Sequence, residues 1–121
     1  MIIDSHCHLT YEPMSNALNE TIDRANKDGI KYMLTISTED KSFEQILKIV
    51  NGYESVYGTY GIHPHEAKSH QHIKSDDIIN KVNNNKKIIG IGETGLDFYY
   101  NHSEKKDQIY SFEEHISAAQ E

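Results

Sequence analysis

Four short runs rich in β-branched residues alternate with four stretches of helical periodicity, and this alternation constrains the fold more than any other feature of the chain. Met1-Ile2-Ile3-Asp4 reads as a first strand. From Ser15 as N-cap, a helix sets Ala17, Leu18, Ile22 and Ala25 on one face and stops at Gly29. KYMLTIS, residues 31–37, is the second predicted strand. Ser42-Phe43-Glu44-Gln45 has the form of a capping box, and Phe43, Ile46, Leu47 and Val50 follow at helical spacing. VYGTYGI, residues 56–62, is the third strand. Ser75 then caps a short helix bearing Ile78, Ile79 and Val82. KIIGIGE, residues 87–93, is the fourth strand, and a last helix from about Ser103 spaces Ile109, Phe112, Ile116 and Ala119 for one apolar face. The order βαβαβαβα implies an α/β protein with a parallel sheet, because parallel strands need crossovers and helices supply them. Apolar runs such as Ile88-Ile89-Gly90-Ile91 fit strands buried on both faces.

Four βα units make either a small open sheet or half of an eightfold TIM-type β/α barrel, whose usual length is about 250 residues. The 121 residues suffice for one domain with a buried core. The sequence ends at Glu121 inside the predicted last helix, with no closing glycine, proline or polar tail. The expectation is a single partial domain over residues 1–121, cut at its C-terminal end. A formal net charge of −7 argues against a basic surface that coats nucleic acid or binds an anionic membrane. It leaves a nuclease open, because bound cations supply the positive charge that phosphate needs. One cysteine excludes an internal disulfide framework. No run approaches the roughly 20 apolar residues of a membrane span, and no basic stretch leads into an apolar one at the N-terminus. A reduced, cytoplasmic protein with no membrane partner is expected.

The chemistry of a parallel α/β protein collects beyond the C-terminal ends of its strands. The first strand runs into Asp4-Ser5-His6-Cys7-His8. Residues two apart on a strand share a side, so Asp4, His6 and His8 project together and Cys7 points away, as a buried inert thiol. Two imidazoles on one side at a strand end form a metal-chelating pair. The third strand ends in Gly61-Ile62-His63-Pro64-His65, a second pair at an equivalent place. The coincidence points to a site more than either pair alone. His70-Gln71-His72 follows no predicted strand and reads as a solvated loop. After the fourth strand stands Gly92-Glu93-Thr94-Gly95-Leu96-Asp97. Glu93 ends an apolar run, where a carboxylate needs an ion pair or a metal. A carboxylate there is able to bridge two divalent ions. Asp97 reads as an acceptor that orients a ligand or the loop, or as a turn former. Tyr99 and Tyr100 fit either packing under this loop, the favoured reading, or stacking on a base or sugar; Tyr110 is a further partly apolar aromatic.

On these residues the chain resembles the TatD-type family of metal-dependent deoxyribonucleases, within the amidohydrolase-like barrels. The matching segments are MIIDSHCHL at 1–9, GIHPHEA at 61–67 and IGIGETGLDFYY at 89–100, followed by a helix from Gln108 through His115 to Ala119. The resemblance implies an eight-stranded barrel with a divalent metal site (Mg, Mn or Zn) at its C-terminal face. It implies His6, His8 and Glu93 as metal ligands, with Glu93 also catalytic. It implies a phosphate contact rather than a metal bond for His63 and His65. DNA is the implied substrate, attacked at phosphorus by a metal-activated water. The family's further ligands, two histidines and a late aspartate, come from strands beyond this sequence. Impaired activity is therefore expected, with self-association or completion by a second half-chain. The alternatives are an inactive remnant with weak metal binding, or a related hydrolase of a non-nucleic substrate. A glutamine stands in place of His115 in many members, and that difference is expected to be a surface change on the helix.

Overall fold

The computed structural model describes residues 1–121 and contains four βα units. These are β1 (Ile2–Cys7) with α1 (Leu18–Lys27), β2 (Ile30–Thr35) with α2 (Phe43–Gly52), β3 (Val56–Tyr60) with α3 (Ser75–Asn83), and β4 (Ile88–Ile91) with α4 (Lys105–Ala119). The strands lie in sequential order and all pair in parallel. Sequential order with helical crossovers is how a β/α barrel begins. No helix is long and apolar enough to cross a membrane.

The helices cover one face of the sheet. Ile22 of α1, Phe43, Ile46, Ile49 and Val50 of α2, Ile78 of α3 and Ala118 of α4 form one cluster with Met33, Val56 and Ile88. Gly58 lets α2 approach closely, since a Cβ there would stand 2.9 Å from Ile46 Cγ2. Each large side chain in this cluster contributes roughly 1.5–3 kcal/mol by leaving water.

The other face of the sheet is open, which corrects the expectation of strands buried on both sides. Ile3, Tyr32 and Ile89 are 55%, 43% and 59% exposed. With Ser5, Leu34 and Tyr57 they line an apolar hollow of about 290 Å³. Alternation explains it: Ile88 faces the helices and is buried, so Ile89 faces away. An apolar run cannot say whether anything covers the second face.

Other corrections concern polar residues. The Ser42 side chain does not cap α2 but donates to the Glu39 carbonyl. Neither Ser15 nor Ser75 is an N-cap; Ala17 precedes α1, and Lys74 precedes α3 with its N–H donating to Asp77. His70 is buried, not solvated. Its Nε2 accepts from the Asp40 N–H at 3.2 Å, while His72 is exposed. The largest change is in α4. Its buried face is Gln108, Ser111, His115 and Ala118, while Ile116 is exposed. His115 is therefore no surface residue: Nε2 accepts from the Ile62 N–H at 3.0 Å and Nδ1 donates to the Ser111 carbonyl at 2.6 Å. The helix turns a polar stripe inward because it packs on loops whose backbone groups need partners.

Candidate metal centre

Four strand ends meet in one cavity of about 260 Å³, lined by His6, His8, Tyr11, Thr38, His63, Glu66 and Glu93. Buried hydroxyls bring them together. Thr35 Oγ1 accepts from the Leu9 N–H, just past the first histidine pair. Ser37 donates to the Gly61 carbonyl and its N–H reaches Thr59 Oγ1. Thr59 in turn donates to the Gly92 carbonyl at 2.5 Å. Backbone bonds from Gly92 to Tyr60, from Glu93 to Ser37 and from His63 to Thr38 complete the lacing. Gly61 and Gly92 press together so closely that a Cβ on Gly61 would lie 2.5 Å from Gly92 Cα. Gly92 and Gly95 also hold φ values of +145° and +144°, where other L residues are strained. Sequence reasoning missed Thr35, Ser37 and Thr59. The available signal was polar residues at the C-terminal ends of otherwise apolar strands.

His6 Nε2 and His8 Nε2 are 3.3 Å apart. Glu93 Oε2 lies 3.5 Å from the first and 3.9 Å from the second. Donor atoms about 3.3 Å apart are what a tetrahedral ion with bonds of about 2.0–2.1 Å requires. The donor set, two imidazoles and a carboxylate, suits a divalent ion, and its ligand atoms lie within 4.8 Å of one another. His8 Nδ1 is buried without a hydrogen-bond partner, as is Thr94 Oγ1 in the residue after Glu93. Tyr11 stacks on His8 with centroids 4.8 Å apart and fixes its own hydroxyl on Thr38.

His63 comes from the opposite side, with Nε2 3.6 Å from Glu93 Oε1. Its Nδ1 accepts the His65 N–H at 3.1 Å. A ring nitrogen that accepts carries no proton, so the proton of the neutral ring sits on Nε2 and points into the cavity. Burial, which favours the neutral form, holds this imidazole below its ordinary range against the opposing pull of Glu93. His63 therefore presents a hydrogen-bond donor there.

His65 and Asp97 form a separate pair at 2.6 Å. That bond is the main reason the Asp97 carboxyl stays below the usual range. Asp97 Oδ1 also accepts the N–H groups of Tyr99 and Tyr100. Gln108 clamps the same loop, accepting from the Asp97 N–H and donating to the carbonyls of Asp97 and Ser103. Asp4 does not line the cavity; its carboxylate accepts the His6 N–H at 3.1 Å. Strict alternation fails there, because β1 is irregular in register between Asp4 and Cys7. Cys7 is half-buried, donates to the Leu34 carbonyl, and is pushed up to about 12 by burial, so its thiol is inert. Tyr99 and Tyr100 do not pack under the loop; they are 84% and 63% exposed.

A family model described as "TatD related DNase" matches residues 3–121. An uncharacterized metal-dependent hydrolase of Buchnera aphidicola is 36% identical over 98% of this chain and 45% of its own length. The 3'-5' ssDNA/RNA exonuclease TatD of Salmonella typhimurium is 31% identical over 99% of this chain and 46% of its own. A solved TatD homologue from Escherichia coli superposes with a TM-score of 0.85 at 24% identity, over 98% of this chain and 46% of that one. The chain thus spans about half the length of the curated relatives it matches, and its four βα units correspond to the N-terminal half of a TIM-type barrel.

Proposed function

The chain belongs to the TatD-related DNase family, and from that premise we propose that residues 1–121 furnish the N-terminal half of a metal-dependent phosphodiesterase site acting on DNA. The observation that carries this reading is the meeting of His6, His8 and Glu93 within 4.8 Å at the strand ends. These three would hold a divalent ion, Mg, Mn or Zn. The chemistry such an ion supplies when bound is polarisation of a phosphoryl oxygen and a water acidic enough to attack at neutral pH. Glu93 is the catalytic carboxylate. Its Oε2 faces the strand-one imidazoles, and Oε1, on the His63 side, takes the proton of the attacking water. The new P–O bond forms as the bond to the leaving sugar oxygen breaks, and that oxygen takes up a proton from solvent. His63 Nε2–H donates to a phosphoryl oxygen. His65 and Asp97 position that loop, and Asp4 positions the His6 backbone. Three protein donors would leave a position for water or substrate, as catalytic metal sites do.

The same reading takes residues 1–121 as one partial domain in the reducing cytoplasm. Its open inner face supports completion by further strands, from further residues of the same polypeptide, a second half-chain or a second copy. Calorimetry with zinc or manganese tests the metal centre: a His6→Ala/His8→Ala/Glu93→Ala variant is expected to lose the binding heat. Equal heats would remove the assignment. Cleavage of a fluorescent oligonucleotide, set beside a small phosphoester and an amide, separates a nuclease from a hydrolase of other substrates. Size-exclusion chromatography reads self-association.

A further inference from the structure

His8 differs from its neighbours in how its ring is held. A histidine that ligates a metal usually donates its other ring N–H to a carboxylate, a carbonyl or water, and that bond fixes tautomer and orientation together. His8 turns Nε2 toward Glu93 Oε2, at 3.9 Å, and leaves Nδ1 buried with no hydrogen-bond partner. A neutral imidazole that gives its Nε2 lone pair to a metal carries its proton on Nδ1. Groups from elsewhere cannot reach that nitrogen without displacing the atoms that already cover it. His63, by contrast, has its Nδ1 bonded to the His65 N–H. The orientation of the His8 ring therefore needs another source.

Tyr11 supplies it. Its ring lies against the His8 ring with 4.8 Å between centroids and 12° between planes, an offset stack of the kind aromatic pairs favour. Two ties hold Tyr11 itself. Its N–H donates to the His8 carbonyl at 3.1 Å, and its hydroxyl shares a hydrogen bond of 2.9 Å with Thr38 Oγ1. Thr38 is 8% exposed, and its carbonyl accepts the His63 N–H at 2.8 Å. A phenol ring pinned at both ends restricts the second side-chain torsion of the histidine, which is otherwise broad. The stack does for His8 what a hydrogen bond does for His63. It also ties the strand-one imidazoles to the loop that carries His63, through one residue just past β2.

We propose that Tyr11 is a positioning residue of the metal centre: its ring, pinned by Thr38, sets the angle at which His8 offers Nε2 to the ion. The proposal rests on the reading of His6, His8 and Glu93 as metal ligands and adds to it a residue outside the ligand set.

The test is zinc affinity by calorimetry, with cobalt(II) absorption as the probe of ligand geometry and melting temperature in EDTA as the control on folding. Tyr11→Leu removes the aromatic face. It is expected to lower zinc affinity about 10- to 100-fold, as loss of an outer partner of a metal ligand does, and to shift the cobalt bands. Tyr11→Phe keeps the face, so its loss is expected to stay near about threefold, with the cobalt bands of wild type. Thr38→Val should match it. The double variant Tyr11→Phe/Thr38→Val should lose no more than either, because both changes remove one bond. Unchanged zinc affinity or unchanged cobalt bands in Tyr11→Leu would overturn the proposal, and so would a loss in Tyr11→Phe equal to that in Tyr11→Leu. Should Tyr11→Leu fail to fold, the other pair decides: losses that add in the double variant would overturn it. The His6→Ala/His8→Ala/Glu93→Ala variant judges the metal reading separately. Zinc heats equal to wild type in that variant would sink the metal centre, whereas zinc lost there and kept in Tyr11→Leu would sink the role of Tyr11 alone.

Discussion

Glu93 and Asp97 stand four residues apart on one loop, and their carboxylates live in opposite circumstances. Asp97 is saturated: His65 at 2.6 Å, the Tyr99 N–H at 3.0 Å and the Tyr100 N–H at 3.4 Å occupy its oxygens. Glu93 has three imidazole nitrogens around it at 3.5 to 3.9 Å, all too far for a tight hydrogen bond. Its position is nonetheless fixed by its backbone, through the bond to the Ser37 carbonyl. One carboxylate is used up in holding the loop; the other is held by the fold and left free to act. Side chains that carry function often leave their own valences unfilled, and those that position them do not.

The sharpest way to break this comparison is to neutralise each acid in turn. Glu93→Gln is expected to lower zinc or manganese affinity by at least about 100-fold, more than the loss from an outer partner, with an unchanged melting temperature. Asp97→Asn is expected to leave metal affinity within about tenfold and to lower the melting temperature by releasing the tyrosine turn. Calorimetry and thermal unfolding, run on both variants, read the two effects independently. The opposite pattern would make Asp97 the ligand and Glu93 the strut.

A second, smaller effect tests the clamp on the other side of the site. His115→Ala strips the Ile62 N–H of its acceptor in a buried place, a loss of about 1–3 kcal/mol. His115→Gln offers an amide oxygen to the same N–H and should recover most of it. Urea unfolding measures both. If His115→Ala unfolds like wild type, α4 does not hold β3 and the loop bearing His63.

The second of these tests falls on a residue that was hard to see in the sequence. The four βα units, the two histidine pairs and Glu93 were legible, because strand alternation and apolar periodicity are local and each element repeats them. The clamps were not. His115, Gln108 and His70 sit among polar neighbours, and a side chain that binds a buried carbonyl or N–H looks like one that binds water. The inward face of α4 was misread for the same reason: Ile109, Phe112 and Ile116 outline an apolar stripe, yet the helix packs on loops that need polar partners. Asp4 was misplaced by the irregular register of β1, which no alternation rule anticipates. Exposure of Tyr99 and Tyr100 depends on how far their loop stands from the core, and that is a property of the whole fold.

The smallest expected effect is a slope with pH, and it separates the clamp from the carboxylates. Burial lowers the His115 pKa, outweighing the Ser111 carbonyl and Glu114, which act the other way. In the unfolded chain a histidine titrates near 6.5. As pH falls below that value the unfolded state takes up a proton that folded His115 refuses, so stability is complete above about 6.5 and drains away toward the lower folded pKa. His63, also lowered chiefly by burial, adds to the same window when metal is absent. Asp97, lowered first by its bond to His65, belongs to a different window: its contribution is present above the unfolded carboxyl value of about 3.9 and is lost only as pH falls through the folded one. Melting temperatures in EDTA should therefore fall as pH drops through the unfolded histidine value of about 6.5, and show a separate fall below about pH 4. His115→Gln should reduce the first slope and leave the second, whereas Asp97→Asn should reduce the second. A first slope unchanged in His115→Gln would place the whole of that transition on His63 and the metal side of the mouth.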